Sequence, residues 1–389
     1  MKNVLMIGWE LPPFNSGGLG VASYYLALHL SKKVNLIFTL PKKLPIKNCP
    51  FKILFADNEI KIIEGYLKYK GIIVNGFLEE VLTYGIRLLQ KIKEEKIKVD
   101  IIHAHDWLGG VAGIFLKDNL NKPLIIHVHA TEIERTGNNP NPLIYHLEKE
   151  CFSKANLIIT VSHLTKQIVS EFYGIPPSKI IPLPNGIDLE IPPNKIPQFI
   201  LELKKHGYKI VLFVGRLVLQ KGPDYFIKTL KYVSKFIPKV KYVIAGAGDM
   251  FPSLVKIAYE DGVLDKIIFA GFLRDEELWG VYKYSDLLVA PSVFDPFGLV
   301  PLEAIKLNVP VIISKTTGLG NYLDHCFKVD FWDIDKMVEI VIDLLENPEK
   351  LAEIQEKAQI EVQKFKWEDR AEEVINIYRE LVYNNICFM

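Results

Sequence analysis

Residues 291–303 read Pro-Ser-Val-Phe-Asp-Pro-Phe-Gly-Leu-Val-Pro-Leu-Glu. The run DLLVA at 286–290 precedes them and has the look of a buried strand, while LEAIKL at 302–307 continues as a helix. Between the two lie Pro296 and Gly298, which break regular backbone, and the carboxylates Asp295 and Glu303. A strand that turns sharply into a helix presents free backbone amides at the helix start. Those amides and the helix dipole favour anions, phosphate above all. Two carboxylates beside such a phosphate suit the hydroxyls of a sugar. The same residues also suit a plain helix start, with Asp295 as cap, Pro296 in the first turn and Glu303 solvated. The choice between these readings depends on what the remainder of the chain builds.

With 389 residues the chain exceeds what one hydrophobic core usually organises, so two domains are expected. Hydrophobic residues at 49% and charged residues at 24% are ordinary for a globular protein, and a formal net charge of +1 gives no sign of a nucleic-acid partner. Cys49, Cys151, Cys326 and Cys387 are scattered without a CxxC pair. They indicate neither a zinc site nor a disulfide framework and fit a reducing cytoplasm. The opening MKNVLMIG reads as a first strand, because its apolar run is short and Glu10 and two prolines follow. No run reaches the length of about eighteen apolar residues needed to span a membrane.

The strand at 3–8, the glycine-rich loop at 10–20, the helix at 21–30 and the strand at 34–40 make a βαβ unit. Its GGLG is not the dinucleotide fingerprint GxGxxG, and no acidic residue ends the next strand, so a nicotinamide cofactor is not expected. Residues 41–70 are lysine-rich and irregular. They read as a solvated excursion, with contact to an anionic membrane or an acceptor as the alternative. A helix at 81–94, a strand at 100–103 and a strand at 123–129 follow. His103, His105 and His129 then fall where strands end, the place where open α/β sheets bind ligands. An HxH pair also suits a metal, but no third ligand of the right kind is evident. The proline-rich IPPNKIPQF at 191–199 is the linker candidate. A second β/α series begins with the strand at 209–215 and runs through GRLVLQKG, GAGD and the stretch at 291–303 to a helical end. Asp333-Ile334-Asp335 opens a helix, so N-capping explains this DxD better than metal binding. The expected fold class is α/β, with two doubly wound Rossmann-like domains facing a cleft. The domains are residues 1–190, joined by a last helix in 367–389, and residues 200–366.

Taken together, SGGLG at 16–20, HAHDW at 103–107, HATE at 129–132, NGID at 185–188, GRLVLQKG at 215–222, GAGD at 246–249 and the stretch at 291–303 resemble a known family. The chain is similar, over nearly its whole length, to the retaining nucleotide-sugar glycosyltransferases of the GT-B fold, family four, with their glycogen and starch synthase relatives. The resemblance implies that Gly17 and Gly18 lie against the donor diphosphate and that Arg216 and Lys221 neutralise it as it leaves. It places Asp295 on the donor sugar's hydroxyls, Glu303 on the ribose, the amides of Gly298 and Leu299 on sugar or phosphate, and His129 near the reacting carbon and the 6-hydroxyl. His129, Arg216, Lys221 and Asp295 are thus the expected catalytic set, with Asp106 and Gly246 as further candidates. The family carries Glu, seven residues, then Glu; here Asp295 fills the first position, which bears on donor-sugar selectivity.

The resemblance further implies a front-face reaction in which the leaving phosphate takes the acceptor's proton, without a cofactor and without a required metal. The expected partners are a nucleotide-sugar donor and a glycan acceptor, with an α-glucan as first choice and glucosyl as the group transferred. The alternatives are the same chemistry on a lipid, cell-surface glycan or small sugar, with the lysine-rich segment as a peripheral membrane contact, or a binding protein without turnover.

Overall fold

The computed structural model describes residues 2–15, 17–58, 68, 69, 72, 73, 76–188, 190, 193 and 195–383. The chain forms two compact units, one of Met1–Ile133, Asn138–Gly186 and Trp367–Met389, the other of Glu134–Gly137 and Ile187–Lys366.

As far as residue 186 the strands are β1 (Asn3–Ile7), β2 (Asn35–Leu40), β3 (Lys52–Phe55), the short pair β4 (Lys68–Tyr69) and β5 (Ile72–Ile73), β6 (Ile101–His105), β7 (Leu124–Val128), β8 (Leu157–Thr160) and β9 (Ile180–Pro182). The helices between them are α1 (Gly18–Ser31), α2 (Phe77–Glu94), α3 (Asp106–Leu120), α4 (Glu132–Thr136), α5 (Pro142–Lys154) and α6 (His163–Tyr173). Seven strands form one sheet in the order β3-β2-β1-β6-β7-β8-β9, with every neighbouring pair parallel. Parallel sheets bury both faces, which is why β6 and β7 are buried at every position. The order reverses beside β1, so the loops after β1 and β6 part and leave a crevice at their C-terminal ends.

The second unit repeats the plan. It contains α7 (Gln198–Lys205), β10 (Lys209–Val214), α8 (Pro223–Phe236), β11 (Val240–Ala245), α9 (Phe251–Glu260), β12 (Ile267–Gly271), α10 (Asp275–Lys283), β13 (Leu287–Ala290), α11 (Leu299–Lys306), β14 (Val311–Ser314), β15 (Phe327–Val329), α12 (Ile334–Glu346) and α13 (Pro348–Val362). Its six strands run β12-β11-β10-β13-β14-β15, again parallel, with the reversal between β10 and β13. The stretch at 291–303 leaves β13 at that point. Asp333 accepts a hydrogen bond from the Lys336 amide at 3.0 Å, so the DxD is an N-cap.

The last helix, α14 (Trp367–Tyr383), belongs to the first unit. Ala371, Val374, Ile375 and Tyr378 follow helical spacing and pack with Leu26, Ala27 and Leu30 of α1 over Val4, Ile101, Ile125 and Ile159 of the sheet. Each such aliphatic side chain contributes about 1.5–3 kcal/mol on burial. Among the described residues no helix is long and apolar enough to cross a membrane.

Four expectations change. The helix expected at 21–30 starts at Gly18, because the Glu10 carboxylate accepts from the Gly20 amide at 3.2 Å and steadies a first turn that glycine alone disfavours. The lysine-rich excursion contains β3, an edge strand paired with β2; its residues 59–67 and 70 fall outside the described residues, as do 191, 192 and 194 of the expected linker. Helix α7 begins within that linker, at Gln198. Strand β6 runs on to His105, so His103 lies inside the sheet and not at a strand end.

Leu288 in β13 is 0% exposed and sits between β10 and β14. Replacing Leu288 with Ala leaves a cavity at the centre of the second sheet and should cost about 2–5 kcal/mol. Urea denaturation checks this, and a loss below about 1 kcal/mol would contradict the assigned core.

Candidate functional site

In the second unit the site is assembled from three loops at the C-terminal ends of β10, β13 and β14. The carbonyl of Gln220, in the loop after β10, accepts from the amides of Val293 and Phe294 at 2.9 and 3.4 Å. This tie brings Lys221 beside Asp295, with Nζ to Oδ2 at 2.8 Å. The loop after β14 supports the other side. Asp295 donates its amide to the Thr316 carbonyl at 3.1 Å, and its own carbonyl accepts from Gly318 at 2.9 Å. Thr316 Oγ1 donates to the Ser292 carbonyl at 3.1 Å. The side chains of Lys221 and Asp295 are 24% and 16% exposed. A pair reached by water in this way contributes about 0–1 kcal/mol, so its main effect is to position charge. Arg216 lies exposed on the same loop as Lys221.

Asp295 does not cap α11. Its Oδ1 accepts from the Phe297 amide at 3.3 Å, and the N-cap residue is Gly298, at φ 103°. That left-handed conformation suits glycine, and a Cβ there would lie 2.8 Å from Thr317 Cγ2. With no side-chain cap, the first turn of α11 from Leu299 is an amide-lined end at which an anion is favoured. One turn on, Glu303 accepts from the Tyr282 hydroxyl at 3.0 Å. Loss of hydration raises its carboxyl to about 7, opposed only in part by Tyr282 and by the Lys306 charge. Gly246 sits against the loop after β10, where a Cβ would lie 1.9 Å from the Gly215 carbonyl oxygen.

The first unit holds the other expected residues. Gly17 and Gly18 are exposed, with Gly17 as the N-cap of α1 and Gly18 its first residue. Asp106 is only 2% exposed and adopts φ 51°, unusual for a non-glycine residue. Its Oδ1 accepts from the amides of His129 and Ala130 at 2.6 and 3.4 Å. Asp106 therefore holds the backbone at His129 and Ala130. Lys221 and Asp295 touch directly, and so do Asp106 and His129. Gly298, Leu299 and Glu303 follow one another on α11, whereas Gly17 and Gly18 stand on α1.

Nothing in the pattern of the chain pointed to Gln220, Thr316 or Tyr282, since a carbonyl, a brace and a buried phenol have no spacing of their own. The third imidazole absent from the HxH reading is His127. Parallel register pairs it with His105, and one nitrogen from each of His103, His105 and His127 lies within 4.8 Å of the others. These rings lie stacked, at 14–22° to one another. Lone pairs lie in the ring plane, so near-parallel rings do not converge on one ion, and the cluster contains no carboxylate to offset its charge.

Two doubly wound units with an anion-favouring helix start and a lysine–aspartate pair define a class of group-transfer enzymes of the GT-B fold. Residues 16–191 match the model of the family described as glycosyltransferase family 4, and residues 197–361 that of glycosyl transferases group 1. An uncharacterized glycosyltransferase of Methanocaldococcus jannaschii is 30% identical, over 97% of each chain. A glycogen synthase of Mycobacterium tuberculosis is 27% identical, over 82% of this chain and 79% of the relative. Anabaena HepE, solved in complex with UDP and glucose, superposes with a TM-score of 0.78 at 18% identity, over 97% of this chain and 99% of that one. The chain belongs to the family four glycosyltransferases.

Because Glu303 has a raised pKa in the fold, it contributes stability that is complete below the unfolded value and is lost as pH rises through about 7. Glu303→Gln keeps an acceptor for Tyr282 without the charge. Its melting temperature relative to wild type should therefore climb between pH 5 and pH 8, approximately the range set by that shift. Thermal melts across that range check it, and a pH-independent difference would show that the carboxyl is not desolvated.

Proposed function

We propose that the chain transfers a hexosyl group, glucosyl in the first instance, from a nucleotide sugar to an α-glucan acceptor with retention at the anomeric carbon. The observation that carries this reading is the Lys221–Asp295 pair, held at 2.8 Å next to the uncapped start of α11. A donor diphosphate at that helix end would meet amides, the dipole and two cations, Arg216 and Lys221. In this reading Gly17 and Gly18 serve the diphosphate, Asp295 and the amides of Gly298 and Leu299 the sugar, Glu303 the ribose, and His129 the 6-hydroxyl. The glycogen synthase relative supports the choice of acceptor, and the HepE complex supports a uridine nucleotide among the donors to be tried.

The bond from the sugar's anomeric carbon to the diphosphate oxygen breaks, and the acceptor hydroxyl forms the new bond on the same face. The acceptor's proton passes to the departing phosphate oxygen. The protein then supplies orientation and charge instead of a strong base. Arg216 and Lys221 take the place a metal would have in neutralising the leaving group, so chelation should leave turnover unchanged. Asp295 is one methylene shorter than the usual glutamate and is already engaged by Lys221, so it selects among donor sugars by what it can reach beyond that bond.

A panel of UDP-, ADP- and GDP-sugars against glycogen, maltooligosaccharides and no acceptor tests the reading, with nucleotide release and product linkage measured. Lys221→Ala removes a cation from the leaving group and leaves Asp295 facing the phosphates, so kcat/KM should fall by about 100-fold or more. Transfer at the wild-type rate by this variant would sink the mechanism, and nucleotide binding without transfer to any acceptor would indicate a binding protein.

A further inference from the structure

The loop that carries His129 is held at both ends by buried carboxylates. At the end of β7, Asp106 accepts from the amides of His129 and Ala130. Glu132 then opens α4, and its amide donates to Glu148 of α5, at 2.9 Å from each carboxylate oxygen. The Tyr173 hydroxyl, at the end of α6, donates to Glu148 Oε2. Glu148 and Tyr173 are each 1% exposed, and Thr131 is fully buried.

A carboxylate buried to that degree is costly unless hydrogen bonds replace its water. Packing alone asks for an apolar side chain at this place in α5, and Leu147, Cys151 and Phe152 around it are apolar and as deeply buried. Glu148 is the exception, and its oxygens are directed at the loop. Tyr173 joins the same task. Burial first, then the charge of Glu148 and the hydrogen bond to it, raise the Tyr173 phenol, while the Ile133 amide and the Thr131 hydroxyl oppose this through its oxygen. The phenol therefore keeps its proton, donates to Glu148 and accepts from the loop. Glu148 and Tyr173 between them engage three consecutive residues, Thr131, Glu132 and Ile133.

The two carboxylates are also fixed relative to each other. Asp106 is the first residue of α3, and Glu148 stands in α5. Trp107 and Leu147, their chain neighbours, share one apolar cluster. One turn further along each helix, a Cβ on Gly110 would lie 2.9 Å from Cys151 Sγ. Helices packed this closely have little room to slide. All of these residues belong to the first unit.

We propose that Glu148, supported by Tyr173, is a positioning residue that fixes the far end of the loop at 129–132, so that His129 keeps one placement during transfer. Both of its oxygens face a single N–H, which only a carboxylate satisfies; a side-chain amide would set N–H against N–H. The relevance to turnover rests on the transferase reading above, whereas the clamp on the loop does not.

Glu148→Gln is the direct test. Hydrogen exchange of the amides at 129–133, read by mass spectrometry, should speed up about tenfold or more while β6 and β7 keep their protection. With the donor selected from the UDP-, ADP- and GDP-sugar panel, kcat should fall about 30-fold and donor KM should stay within about twofold. A merely structural role would not confine the loss to kcat and to this loop. Tyr173→Phe keeps the ring and removes the hydroxyl. It should move both readouts in the same direction, with kcat down about tenfold, and it decides the matter if Glu148→Gln folds poorly. Unchanged exchange at 129–133 in either folded variant would overturn the clamp. So would a rise in donor KM with kcat preserved. If wild type turns over no donor at all, the transferase reading fails while the exchange measurement still tests the clamp.

Discussion

Parallel pairing of β1 with β6, and of β10 with β13, is the constraint on which everything else depends. In each sheet these pairs are where the strand order turns back on itself. Loops that leave such a pair diverge, so backbone amides and short side chains reach a ligand without a wall of helix in the way. In the first sheet the arrangement delivers Asp106 and, one strand further, His129. In the second it delivers Lys221 and the stretch that leads into α11. Neither set is close in sequence, and the sheets supply the proximity.

Electrostatics then separates the candidate residues into kinds. Lys221 and Asp295 keep access to water, so their charges are available to a ligand at little cost in stability. Glu303 is under the opposite pressure: desolvation raises its carboxyl to about 7, where it is half ionised, and Tyr282 keeps it aligned. The buried histidines carry the same pressure to its limit and remain uncharged. The second unit thus holds open charge and adjustable charge, and the first unit holds suppressed charge.

Much of the plan was legible in the chain, because it depends on local periodicity. The apolar runs of β1, β10 and β13 and the turn at Gly298 announce themselves by composition. Edge elements were harder to see: β3 holds its place by pairing with β2, which no local pattern encodes. Among the site residues, Asp295 stood out beside the strand-to-helix turn and Lys221 through the family resemblance, but their contact depends on the Gln220 carbonyl, which any residue could provide. His127 looked like part of an apolar strand. It became part of a polar stack only through the register that sets it opposite His105. What the sequence conceals is long-range pairing, and polar groups inside a sheet are defined by little else.

The contact between Gly246 and the Gly215 carbonyl has a further meaning for anyone altering this chain. Two loops that meet backbone to backbone have no side chain between them to absorb a change. They behave as one piece with two connections to the sheet. A library that diversifies one while leaving the other untouched would sample mostly collisions, and variation in this part of the molecule has to be introduced in both loops together.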